Sequence, residues 1–203
     1  MTTTPLMTED EARETLAGYL GDLRECLEAG WAGWKKYLKD NPQAASHRPS
    51  TRASIVYDYV VAAAKARFDG NDNVHVSEAR GFLTLTIKQP RIVVLRFKKF
   101  ATKKLKTSGI PTQQRIEFQN QWVSIDGLDV TNMVVGYLLD KIGSEPIRLA
   151  VTCPLGKSVM WAIDLDDDIA SVEPVNQLPL DDGPVVRSKT VKKIDKKDET
   201  GGS

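Results

Sequence analysis

An α+β fold is predicted for this chain, with two N-terminal helices packed on a mostly antiparallel β-sheet and a disordered C-terminal tail. Three observations predict it. Apolar residues recur in steps of three and four from Leu16 to Leu38, the period of one helix face. From Val74 onward the period falls to two, as in a strand with one wet face. From about Asp166 the apolar periodicity stops, and residues 171–203 are rich in Pro, Asp, Lys and Gly, a composition with little to bury. The expected organisation is one α+β domain over residues 1–170, helical over 8–68 and β-rich over 74–165, then a tail over 171–203.

Thr8 and Glu11 form a capping box, in which each residue satisfies a backbone N–H that the first helical turn leaves free. It opens a long amphipathic helix carrying Leu16, Leu20, Leu23, Leu27, Trp31, Trp34 and Leu38, which Asn41-Pro42 ends. Gly18, Gly21, Gly30 and Gly33 weaken that helix intrinsically, and the last two predict either close approach of another element or a kink. Ser50 or Thr51 caps a second helix reaching about Phe68, with Val56, Tyr59, Val60 and Ala63 inward. After the turn residues 69–73, Val74 and Val76, then Phe82 to Ile87, then Arg91 to Phe97 make a three-stranded antiparallel meander. A polar loop follows over 103–109, then a short helix over Gln113 to Gln121. Three further strands are expected over Val130 to Tyr137, Ile147 to Thr152 and Val159 to Leu165, the last two joined as a hairpin through Pro154-Leu155-Gly156-Lys157. The sheet should hold about five to seven strands and be covered on one face by the two helices.

Composition excludes several classes. The net charge of +1 supplies no global field toward nucleic acid or membrane, so any electrostatic binding must be local. The two cysteines, Cys26 and Cys153, are far apart, which is not a secreted disulfide framework. The start of the chain lacks a basic n-region and an apolar h-region, and the longest apolar run, near Val60 to Ala64, is far too short to span a bilayer. A cytoplasmic protein without membrane association is expected, its oligomeric state open.

No catalytic residues, metal ligands or cofactor are predicted. With only His47 and His75 a His-rich zinc site is impossible, and neither phosphate-loop nor dinucleotide glycine motif occurs. Gly156-Lys157-Ser158 lacks the preceding glycine of a phosphate loop and reads as a hairpin turn. A metal-dependent nuclease would need carboxylates and a lysine on adjacent strands; Asp72 and Glu78 are available, but the strand over Arg91 to Phe97 has no acid. Asp164, Asp166, Asp167 and Asp168 lack the glycine and terminal glutamate of a calcium loop. The strongest charge feature is the run Arg91, Arg96, Lys98, Lys99, Lys103, Lys104 and Lys106, with Phe97 and Phe100 interleaved and no acid among them. Such a strand and loop can hold a phosphate backbone and stack bases; alternatively Phe97 packs inward while the lysines solvate a sheet edge. A second candidate anion site lies at Arg48 and Arg52, near a helix N-terminus where free N–H groups point outward. The polar run Thr112, Gln113 and Gln114 resembles a recognition surface.

Several phrases together resemble a family of small uncharacterised bacterial and prophage proteins: Thr51-Arg52-Ala53-Ser54-Ile55-Val56, Leu95-Arg96-Phe97-Lys98-Lys99, Ile110-Pro111-Thr112-Gln113-Gln114, Gly136-Tyr137-Leu138-Leu139-Asp140, and Cys153-Pro154 with a following Trp161. The resemblance spans about residues 50–165. It implies an encoded neighbour, a regulator pairing a helix-turn-helix with an ImmA/IrrE-type metallopeptidase, and hence a prophage, defence or toxin–antitoxin module. The function expected on that basis is non-enzymatic and regulatory, acting through a protein partner, plausibly that regulator. The alternatives are nucleic-acid binding through the basic patch over 91–106, and a toxin enzyme with an atypical active site.

Overall fold

The computed structural model describes residues 6–79, 81–110, 112–122, 124–125 and 128–166. The expected tail over 171–203 lies outside them, as do Arg80 and Pro111. The fold is α+β, with four α-helices and a six-stranded, mostly antiparallel sheet.

The capping box forms: Thr8 N–H donates to the Glu11 carboxylate at 2.7 Å, and Glu11 N–H donates to Thr8 Oγ1 at 3.3 Å. The helix it opens is short, however. One long helix was expected, and two are found, α1 (Glu9–Leu16) and α2 (Leu20–Asp40). The break falls at residues 17–19, where Gly18 offers little helical stability and Tyr19 N–H donates back to Leu16 O at 2.7 Å. The turn frees α1 to follow its own direction, and Trp161 Nε1 donates to Met7 O at 2.8 Å beside it. After a short 3-10 segment (Pro42–Ser46), α3 runs over Pro49–Phe68. Val56 and Val60 are buried as expected and Ala63 packs partly against the core, but Ala64 and Phe68 complete the buried stripe and Tyr59 is exposed.

Gly30 and Gly33 mark close approach, not a kink. A Cβ on Gly30 would overlap the Val60 side chain and sit 3.1 Å from Val56 O, and one on Gly33 would strike the Tyr59 ring. By contrast a Cβ on Gly21 would meet nothing within 4 Å beyond its own helix. Gly21→Ala should therefore stabilise the protein by about 0.5–1 kcal/mol, the ordinary helical gain. Gly30→Ala should instead destabilise it by about 1–2 kcal/mol, because overpacking outweighs that gain. Thermal unfolding of the two variants side by side checks the opposite signs, and a stabilised Gly30→Ala would overturn the account.

The strands are β1 (Val74–Ala79), β2 (Phe82–Ile87), β3 (Val93–Phe100), β6 (Thr131–Leu139), β7 (Pro146–Leu155) and β8 (Ser158–Asp164), in the order β1-β2-β3-β6-β7-β8. Helix α4 (Gln113–Gln119) and a two-residue pair, β4 (Ser124–Ile125) with β5 (Leu128–Asp129), fall between β3 and β6. All neighbours are antiparallel except β3 and β6, whose eight paired residues run parallel from Val93↔Thr131 to Phe100↔Leu138. A parallel pair needs a long crossover connection, and the stretch containing α4 provides it.

Both faces of the sheet carry buried apolar residues. One cluster joins Leu85, Leu95, Phe97, Met133 and Val135 with Leu16, Leu27, Trp31, Val56 and Phe68. A second, smaller one gathers Val94, Phe100, Leu105, Phe118, Val134 and Ala150. The second cluster adds a buried layer that the sequence reading did not include, and it explains why all nine residues of β6 are buried. Among the described residues no helix is long and apolar enough to cross a membrane.

Candidate anion-binding cleft

Strand β2 pairs with β1 along all six residues but with β3 only from Leu85↔Leu95 to Ile87↔Val93. Beyond Leu95 the two strands part. Thr131 N–H donates to Ile92 O, so the even-numbered β3 residues direct their backbone groups to β6 and the odd-numbered ones toward β2. Phe97 and Lys99 therefore turn theirs to a side that β2 has left. On β2, Leu83 N–H is taken instead by Tyr57 Oη from α3, at 2.7 Å.

The parting opens a cleft of about 950 Å³. Its walls come from α3 (Pro49, Ser50, Arg52, Tyr57, Asp58), the β1–β2 hairpin (Glu78, Phe82), β3 (Phe97, Lys98, Lys99) and the end of β6 with its following turn (Tyr137, Asp140, Gly143). Side chains alternate along a strand, so Lys98 leaves β3 on the α4 side and Lys99 on the opposite side, and the cleft reaches both because the sheet is interrupted there.

Arg52, Lys98, Lys99 and Lys141 share the cleft lining with Asp58, Glu78 and Asp140. No ion pair joins Arg52, Arg96, Lys98 or Lys99 to a carboxylate among the described residues. Lys98 Nζ sits 4.2 Å from the centroid of the Phe82 ring. Beside it, Arg96 lays its guanidinium 4.3 Å from the Phe118 centroid and 5.9 Å from that of Phe82, and its Nε is buried without a hydrogen-bond partner. Arg52 reaches the turn after β6, where its guanidinium lies against Gly143. Burial pushes the pKa values of Arg96, Lys98 and Lys99 down; repulsion from Arg96 and Arg115 adds to this at Lys98, and repulsion from Arg52 adds at Lys99. Burial likewise raises Tyr57, and pushes Tyr137 up to about 12. Of the acids lining the cleft, Glu78 is bonded to Lys65 at 2.5 Å and Asp140 accepts from Ser144 N–H at 2.7 Å; Asp58 also lines it. Helix α3 opens with Pro49 in its first turn, no side-chain cap on its N-terminus and no acid in the first turn. Its free N–H groups and positive dipole end thus sit at the Arg52 end of the cleft.

Several sequence-predicted site residues are brought together and others are not. Arg52, Lys98 and Lys99 line the cleft and Arg96 flanks it. Lys103 and Lys104 are exposed on the loop after β3 and outside the lining. Arg91 lies before β3 and donates to the Glu11 carboxylate at 3.2 Å. On the alternative that the lysines solvate a sheet edge, β3 is third of six strands, yet its β2 side is unpaired beyond Leu95, so Lys98 and Lys99 lie half-buried beside a local open edge. Phe97 does pack inward, at 2% exposure. Thr112 caps α4, accepting from Arg115 N–H at 3.3 Å, and Gln113 donates to Glu117 at 2.9 Å. Gln114 is half-buried on the same short helix. Sequence reasoning missed Tyr57, Phe82 and Tyr137. Tyr57 lies five residues from Arg52, but only the departure of β2 gives its hydroxyl a purpose.

Other candidate sites resolve into structural roles. Gly156-Lys157 is a hairpin turn with Gly156 at φ +58. Asp164 is paired with Arg148, and Asp166 accepts from Leu149 N–H; Asp167 and Asp168 lie outside the described residues. Among the described residues no group of three or more His, Cys, Asp or Glu side chains could hold a metal ion. Cys26 and Cys153 are buried, and burial pushes their thiols up to about 11 and about 12, far from the range of a nucleophilic thiolate.

No family model, curated protein or solved structure matches the chain.

Proposed function

We propose that this protein binds nucleic acid, holding backbone phosphates in the cleft between α3 and the parted strands β2 and β3. One observation carries the reading. Arg52, Lys98 and Lys99 line a single cavity, with Arg96 beside it, and among the described residues none of the four forms an ion pair with a carboxylate. Half-buried cations held without counter-charge cost stability, so a fold that assembles them has a use for their field. Phosphate is the anion such a set suits, and the half-buried rings of Tyr57 and Phe82 supply faces on which bases stack. Exposed Lys103 and Lys104 would extend the track electrostatically. In this reading α1 to α3 form a layer over one face of the sheet, and α3 presents its N-terminus to the ligand.

Fluorescence anisotropy with a mixed-sequence single-stranded 20-mer tests it. Binding should weaken as salt rises, with a slope of log K against log salt of about −0.7 for each phosphate held. The double variant Lys98→Glu/Lys99→Glu should bind at least about tenfold more weakly and with a flatter slope, while Lys39→Glu on α2 should match the parent. Unchanged affinity in the double variant would sink the proposal.

A second reading, action through a protein partner such as the regulator of the resembled family's neighbourhood, has its own observation. Ile110 and Trp122, 82% and 66% exposed, flank α4 beside Thr112 and Gln113. There a partner would be lost on Trp122→Ser yet survive nuclease, and persistence in that variant would count against it.

A further inference from the structure

We infer that the cleft takes an unpaired end: its ligand is a nucleoside phosphate monoester, presented by a single strand or as a free nucleotide, and not the backbone of a duplex. The inference rests on the nucleic-acid reading above and deepens it.

The first ground is access. A duplex carries its phosphates on the outside of a stiff rod, and proteins read it with protruding helices, strands or arms. Here the cations are recessed: Lys98 and Lys99 are half-buried in the cleft wall. At about 950 Å³ the cleft falls within the range of roughly 300–1,000 Å³ typical of small-molecule sites. One to a few nucleotides fit such a space, and a rod does not.

The second ground is charge. A backbone diester carries one negative charge, whereas a terminal monoester carries about −1.5 to −2 at neutral pH. Four cations line the cavity, Arg52, Lys98, Lys99 and Lys141, with Arg96 beside them; burial lowers the pKa values of Arg96, Lys98 and Lys99, and repulsion from neighbouring cations adds to this at Lys98 and Lys99. That crowding is relieved more by a doubly charged group than by a single diester. The uncapped start of α3 adds further donors at the Arg52 end.

The third ground is the rings. Lys98 spans one face of Phe82, and the half-buried Tyr57 also lines the cavity. A base can lie against such a ring only when it is out of its own stack, as at a strand end or in a free nucleotide.

The test uses 12-mers labelled at the opposite end, in four forms: single-stranded with a 5′-phosphate, single-stranded with a 3′-phosphate, single-stranded without terminal phosphate, and a blunt phosphorylated duplex. Adenosine 5′-monophosphate serves as an unlabelled competitor. One phosphorylated single strand should bind at least about tenfold more tightly than both the unphosphorylated strand and the duplex, and Lys98→Met should erase that preference. Competition by the mononucleotide at the strand's own affinity would assign the site to free nucleotides; much weaker competition would assign it to strand ends. If all four forms bind alike, or the duplex binds best, this inference is overturned while nucleic-acid binding stands. If none binds at low salt, both readings fail.

Discussion

Replacing Gly136 by alanine is expected to destabilise the protein by about 3 kcal/mol, at the upper end of the usual cost of overpacking. Gly136 lies in β6 opposite Lys98 of β3 and Ala150 of β7, in the middle of the sheet. A Cβ there would run into Lys98 O and meet two carbons of the Phe100 ring at 2.9 Å. Neither obstacle moves easily: the carbonyl belongs to the parallel ladder, and Phe100 is 1% exposed. Intrinsic preference points the other way, since alanine is favoured over glycine in a strand interior by about 0.5–1 kcal/mol, so the sign of the result is decisive. Thermal melts should show a fall of roughly 6–12 °C at this chain length. The partner variant Phe100→Leu should cost stability alone yet recover part of the loss when combined with Gly136→Ala, because the two share one contact. Simple additivity of the two would show that the ring is not the obstacle.

Lys98→Met should raise stability and weaken binding together. Lys98 is desolvated first by burial and then repelled by Arg96 and Arg115. Its folded pKa is therefore lowered below the unfolded value, so the unfolded chain holds more protons as pH rises through the lowered value, and stability climbs with pH there. At neutral pH the cost of the charged form is present in full. Methionine removes that cost and keeps a sulfur contact to Phe82, which offsets the lost cation–π attraction of about 0.5–1 kcal/mol. A net relief of about 1 kcal/mol would appear as a melting temperature about 2–4 °C higher, with oligonucleotide affinity down at least about tenfold. Subtracting the pH profile of the variant from that of the parent isolates Lys98, and the difference should shrink toward pH 10.5, the ordinary lysine value. A destabilised variant with unchanged pH dependence would mean that Lys98 serves the fold.

The two large effects differ in how visible they were from residues alone. The capping box at Thr8, the meander, the α4 segment and the β7–β8 hairpin all follow from local rules, because each depends on residues a few positions apart. The break at Gly18 was less visible, since the apolar stripe carries on through it and only the downstream contact of Met7 with Trp161 shows why the chain turns. The β3–β6 pairing was not visible: Val93 and Thr131 both read as buried strand residues, and periodicity does not say which strands are neighbours or in which direction. For the same reason the basic run could be seen on β3, and Arg52 could be suspected separately at a helix start, but their meeting depends on β2 leaving β3 after Leu95. Arg91 belongs to the same run in sequence, yet Glu11 holds it elsewhere.

The β1–β2 hairpin is a cantilever. Its root is the three rungs from Leu85 to Ile87, and its outer half is propped from α3 by two struts, the Tyr57 hydroxyl on Leu83 and Lys65 on Glu78. Both struts belong to the helix whose first turn carries Arg52. The gap is thus bounded by one helix bearing on a beam fixed at one end.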